Sequence, residues 1–184
     1  MEIRGVLRQS LPLLLLCGIG EVFAGAVLGR NTRTLDMLPG LLVLVPALIG
    51  LRGNINTTLG SRLGSAVHMG LISTKNFWND EMKENFKASL FLTIIMSAVA
   101  GLLAYITTVA LGQSALNMLK LLAIAVIAGS IAGVILAFIT VGIIFYAFKR
   151  GLDPDNVTGP SLATFGDIIT LGCIIGVAVM IGGI

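Results

Sequence analysis

Asp167 is a lone carboxylate inside the last long apolar run of the chain, Pro160-Ser-Leu-Ala-Thr-Phe-Gly-Asp167-Ile-Ile-Thr170 and on to Ile184. A carboxylate at bilayer depth costs about 2.5–3.5 kcal/mol on insertion scales, so such residues are usually kept for handling charge. Far upstream, Gly53-Asn54-Ile-Asn-Thr-Thr58 breaks a second apolar run with amides and hydroxyls. From Asn54 the polar residues recur as Thr58, Ser61, Ser65 and His68, at the helical period that puts them on one face, with Thr57 and Arg62 at its edges. Lipid leaves polar groups unpaired, so the stripe faces either a partner helix or a pathway, and its length favours a pathway.

The last run has a shorter stripe. Ala163 and Thr164 lie one turn before Asp167, and Thr170 one turn after. Pro160 fits a first helical turn, where its missing N–H is harmless. Before it, the turn-rich stretch Lys149 to Gly159 places Asp153 and Asp155 at a mouth, with Asp167 about 21 Å deeper if the interval is helical. Ordinary turn chemistry is the other reading of those two aspartates. For Asp167 the other reading is an ion pair with Arg52 or Arg62. Glu21, among Gly18, Gly20 and Gly25, either adds a second cation or proton site or neutralises one of those arginines.

Carboxylate, amide and hydroxyl oxygens suit hard divalent cations, and Mg²⁺ gives up its water reluctantly. One aspartate cannot cage such an ion. Two copies of Asp167 across a two-fold axis would hold a largely hydrated Mg²⁺ through its waters, tightly enough to select and weakly enough to release. Both that arithmetic and the thin wall that five helices provide point to a homodimer with the ion route at or near its axis.

Elements that position these residues follow from composition. The 184 residues are 56% hydrophobic and 11% charged, against about 25% charged in soluble domains, which places the chain in lipid. A net charge of +3, scattered along the chain, excludes nucleic-acid binding. Four segments, about 11–29, 88–111, 119–148 and 161–184, meet the spanning length of about 20 apolar residues. A fifth runs from Met37 through Leu51 and on through the polar stretch to Ile72. The expected fold is therefore an all-α membrane protein of five transmembrane helices, one cation-transport unit over residues 1–184, with no soluble sensor domain. Ser73 to Lys87, with alternating charges and Phe77 and Trp78, reads as a solvated or interfacial connection. An N-terminus inside places Arg4, Arg8, Lys75, Lys83, Lys87, Lys149 and Arg150 in the cytoplasm and leaves Arg30, Arg33 and Lys120 outside, so the N-terminus is expected in and the C-terminus out of a cell membrane. Met1 to Ala26 resembles a signal peptide but reads as the first span. Cys17 and Cys173 are far apart in apolar segments, with one histidine in the chain, which is neither a zinc set nor a disulfide framework. Four glycine pairs at four-residue spacing, Gly129/Gly133 among them, are about what 23 glycines give by chance and mark only tight packing.

Pro46-Ala-Leu-Ile-Gly-Leu-Arg52-Gly-Asn54-Ile-Asn-Thr-Thr-Leu-Gly-Ser-Arg62-Leu63 resembles the signature of MgtE-type magnesium transporters, and is more similar to their solute carrier family 41 relatives than to the bacterial branch. Asp153 to Thr170 is similar to the second signature of that group. The resemblance covers essentially the whole chain as one five-span unit. It implies a homodimer whose second and fifth spans line a central divalent-cation pathway. The pore carboxylate falls on Asp167, the position one turn earlier on Ala163, the Gly-Asn of the second span on Gly53-Asn54, and the carboxylate at the cytoplasmic end on Asp153. Solute carrier family 41 proteins hold two such units, so this chain would be one unit that pairs with itself. The bacterial transporters carry a cytosolic sensor with CBS domains, and nothing in this sequence corresponds to it. The choice between a channel and a Na⁺/Mg²⁺ exchanger stays open.

Two other readings compete. An intramembrane aspartyl protease would use Gly166-Asp167, but the second intramembrane aspartate is missing and Glu21 would have to serve. A structural subunit of a hetero-oligomer would use the Asn54–His68 stripe for assembly. Neither matches the residues as well as non-enzymatic transport of Mg²⁺.

Overall fold

A chain in lipid must satisfy its backbone groups internally, so long apolar runs become helices. The computed structural model describes residues 3–73, 78–152 and 154–183, with the side chains of 3–6, 9, 34 and 154–156 outside that description. Among the described residues all regular structure is helical: α1 (Ile3–Arg30), α2 (Thr32–Met37), α3 (Leu41–His68), α4 (Asp80–Ala110), α5 (Met118–Arg150) and α6 (Pro154–Gly182). Five of these are long and apolar enough to cross a membrane. The sixth, α2, is a six-residue helix that joins α1 to α3 and lies outside the expected pattern.

Local chemistry sets the ends. The Asn79 side chain accepts from the Met82 N–H at 3.0 Å, and Asp80 and Glu81 follow in the first turn, so α4 starts well before the expected span. The connection expected over Ser73–Lys87 is thus half helix. At 31 residues α4 is about 46 Å long, so its charged first turns extend past a hydrocarbon core of about 30 Å. Trp78 packs edge-on against Phe86 with ring centroids 5.7 Å apart. Lys75, Phe77 and Asp153 lie outside the described residues, as does the side chain of Asp155. Gly151, at φ 64°, caps α5 in the left-handed region that glycine enters without strain. α6 then begins at Pro154, so Pro160 lies well inside the helix rather than in its first turn. Its ring removes one backbone donor near the start of the span.

α5 is uncharged from Leu121 to Phe148 and packs against α3, α4 and α6, as a helix apolar on all sides should. α1 packs mainly on α6 and leaves Leu15, Ile19 and Val22 exposed to the surroundings. Two apolar clusters fill the interior. One joins Leu41, Leu44 and Leu48 of α3 to Ile124 of α5 and to Leu171, Ile174 and Ala178 of α6. The other joins Leu59 and Leu63 of α3 to Met82 of α4 and Ile144 of α5. The first cluster sets the start of α3 against the end of α6, so these two helices run antiparallel.

Candidate cation site

α3 presents its polar stripe outward: Asn54, Thr58, Ser61, Ser65 and His68 are all exposed in the isolated chain. The Thr58 hydroxyl donates to the Asn54 carbonyl at 2.8 Å and that of Thr57 to the Gly53 carbonyl at 2.8 Å, which frees no further backbone but turns hydroxyl oxygens along the face. Gly53 is half-buried. Lower on the same helix, Thr57, Gly60 and Ser61 face Thr158 and Gly159 of α6 across a cleft of about 170 Å³. A Cβ on Gly60 would stand 2.9 Å from the Thr158 methyl, so the helices approach here because Gly60 is bare. The Thr158 hydroxyl is buried and has no hydrogen-bond partner among the described residues.

Asp167 lies nine residues above Thr158, about 13.5 Å along the axis. On antiparallel α3 that rise leads from Gly60 to about residue 51, so Asp167 and Asn54 sit within roughly one turn of the same depth. Glu21 of α1 reaches this level too. Its carboxyl neighbours that of Asp167. The Thr164 hydroxyl stands 3.3 Å from Glu21 Oε1, 3.4 Å from the Cys17 carbonyl and 3.3 Å from the Pro160 carbonyl, with one proton to give among them. A Cβ on Gly20 would collide with the Thr164 side chain, which explains how α1 comes close enough for Glu21 to join α6.

The α6 residues do not share one environment. Ala163 is exposed, Asp167 half-buried and Thr164 buried, while Thr170 is wholly buried at 0% exposure with its hydroxyl unpartnered. Asp167 and Ala163 therefore reach the open surface, whereas Thr170 points into the protomer. Neither arginine considered for an ion pair meets a carboxylate among the described residues. Arg62 is exposed, and the ion pair present is Lys83 with Asp80 at 3.0 Å.

Arg52, next to Gly53-Asn54, has a destination that sequence reasoning missed. At 1% exposure its guanidinium passes between α4 and α5, donating to Thr93 Oγ1 at 2.9 Å and Ser97 Oγ at 2.8 Å. Gly129 and Gly133 form the opposite wall, and a Cβ on Gly129 would run into the guanidinium and Ser97, one on Gly133 into the guanidinium and Thr93. The Arg52 Nε has no partner. The signal lay in two matched four-residue spacings, Thr93/Ser97 and Gly129/Gly133, which present hydroxyls and bare backbone at the same interval on facing helices.

Oxygen-bearing side chains of α1, α3 and α6, those of Glu21 and Asp167 among them, lie within roughly one turn of the same depth beside an outward polar face. That is a donor set for a hard cation. Comparison with known proteins identifies the family. The MgtE model, described as a divalent cation transporter, matches residues 45–177, from α3 through α6. Solute carrier family 41 member 2 of Gallus gallus is 36% identical over 89% of this chain and 29% of its own length. The Mus musculus member 2 is 36% identical over 92% of this chain and 30% of its own length. Member 3 of Rattus norvegicus is 31% identical over 89% of this chain and 36% of its own length. The chain thus spans about a third of the length of the curated relatives it matches. No solved structure matches it. Because the match runs through both polar-striped helices, α3 and α6, and through the carboxylate of Asp167, the chain belongs to the MgtE family of divalent cation transporters.

Proposed function

We propose that the chain, as one transport domain over residues 1–184, carries Mg²⁺ across a cell membrane as a homodimer, with its N-terminus cytoplasmic and its C-terminus outside. α3 and α6 of each protomer line the route. The observation that carries this reading is the half-buried Asp167, backed by Glu21, at the depth of Asn54 and beside an exposed polar face. Paired Asp167 carboxylates hold a largely hydrated ion through its waters, since Mg²⁺ keeps several of them. Asn54, Gly53, Thr58 and Ser61 supply amide, carbonyl and hydroxyl oxygens along the way, and Ala163 leaves room for the hydration shell one turn from Asp167. Asp153 and Asp155 concentrate cations at the inner mouth. Na⁺ enters as a coupled ion if the protein exchanges rather than conducts.

The test is Mg²⁺ uptake into proteoliposomes, wild type against Asp167→Asn, with and without an opposing Na⁺ gradient. Uptake lost in a folded Asp167→Asn supports the route, and acceleration by Na⁺ assigns an exchanger. Undiminished uptake in the variant overturns the role of Asp167.

A further inference from the structure

α3 turns a row of buried residues into the bundle, Leu44, Leu48, Arg52, Asn56, Leu59 and Leu63 among them. Arg52 is the one charged member of that row. Its guanidinium donates to Thr93 and Ser97, one turn apart on α4, and the bare backbone of Gly129 and Gly133 on α5 closes the slot. No carboxylate pairs with it among the described residues. The slot therefore gives the guanidinium direction rather than a counter-charge.

Leucines packed against small residues lose little when a helix turns by a few degrees, because apolar contacts are non-directional. Two hydrogen bonds from one planar guanidinium are lost together by such a turn, and a charged group left unpaired at this depth is costly. Pro46, six residues earlier, removes a backbone hydrogen bond from α3, so the helix is set weakly by its own backbone here. Asn54 stands two residues beyond Arg52, about 200° round the helix. Anchor and polar face are thus on opposite sides of α3, and the angle held at the back is the angle at which Asn54 and Thr58 face outward. The backbone between them is braced. The Asn56 amide donates to the Arg52 carbonyl at 2.9 Å, and the hydroxyls of Thr57 and Thr58 donate to the carbonyls of Gly53 and Asn54 at 2.8 Å each.

We infer that Arg52 is a positioning residue: its grip on Thr93 and Ser97 sets the rotation of α3, and with it the presentation of Asn54 and Thr58. The consequence for transport rests on the reading that α3 lines the cation route. The rotation itself does not.

The experiment has an arm for each. In a Cys17→Ser, Cys173→Ser background, Thr58→Cys on the outward face and Leu59→Cys on the buried row are labelled in membranes with a water-soluble maleimide. With Arg52 in place the Thr58→Cys variant should react at least about tenfold faster than Leu59→Cys, and Arg52→Met should cut that ratio to about threefold. Thr93→Val combined with Ser97→Ala, which leaves α3 untouched, should cut it likewise. In proteoliposomes, Arg52→Met should weaken apparent Mg²⁺ affinity about threefold, keep the maximal rate within about twofold, and add little to Asn54→Ala. A role in stability alone lowers the thermal midpoint and leaves the labelling ratio as in wild type, which overturns the inference. Unchanged Mg²⁺ affinity in folded Arg52→Met overturns the link to Asn54. The labelling needs no transport, so a wild type without Mg²⁺ uptake counts against the proposed function and leaves the labelling to decide on Arg52.

Discussion

At the level of single residues, the proposed cation site depends on Asp167 with Glu21 beside it. A hydrated divalent ion about 6 Å from one carboxylate gains about 2 kcal/mol at an effective dielectric near 60. That is roughly 25-fold in affinity. Glu21 stands behind Asp167 on a more peripheral helix, so Glu21→Gln should weaken apparent Mg²⁺ affinity about tenfold while uptake persists at high concentration. Asn54→Ala removes a dipole rather than a charge and should weaken it about threefold. The concentration dependence of Mg²⁺ uptake in proteoliposomes checks both. An unchanged curve for Glu21→Gln would reduce Glu21 to a packing contact. Asp167 stood out in the sequence because a carboxylate is costly in such an apolar run. Its contact with Glu21 did not, because which spanning helices become neighbours depends on close approaches such as Gly20 against Thr164, and these leave no mark in hydropathy.

Individual helices show the same division. The five spans were readable because lipid demands about 20 apolar residues in succession. α2 was not, since six residues with Arg33 and Asp36 among them carry too little periodicity to register. The starts at Asp80 and Pro154 were set by a cap and a proline that hydropathy ignores. Arg52 gives this scale its sharpest consequence. A buried guanidinium with two hydroxyl partners ties α3 to α4 while α5 closes over it, and hydrogen bonds to a charged group are worth about 1.5–3 kcal/mol each. Thr93→Val and Ser97→Ala should each lower stability by about that amount, seen as a lower midpoint in a thermal unfolding assay in detergent. Gly133→Ala adds a methyl where the guanidinium and Thr93 already lie, and overpacking of this kind costs about 1–3 kcal/mol. If Gly133→Ala melts like wild type, Arg52 must leave this slot readily, and the tie between α3 and the other helices is not the one described.

For the molecule as a whole, the polar face of α3 is the unresolved demand. Asn54, Thr58, Ser61, Ser65 and His68 are exposed on a helix that crosses the membrane, and lipid cannot satisfy them. The remaining helices of the same chain leave them largely open, because α3 turns its other faces to α4, α5 and α6. In the proposed homodimer a second copy related by a two-fold axis would bring the same stripe face to face with itself, and a residue near such an axis would lie close to its own equivalent. Thr58→Cys, in a Cys17→Ser, Cys173→Ser background, should therefore form covalent dimers within membranes under mild oxidation. Cysteine placed at Leu15, on the exposed face of α1, should form them far less, because that face meets lipid rather than the axis. High Mg²⁺ should slow the Thr58→Cys reaction, since an ion between the protomers competes for the space that the disulfide needs. Cross-linking at Leu15 but not at Thr58 would move the dimer to another face. That result would overturn the proposed pairing of two Asp167 carboxylates across the axis.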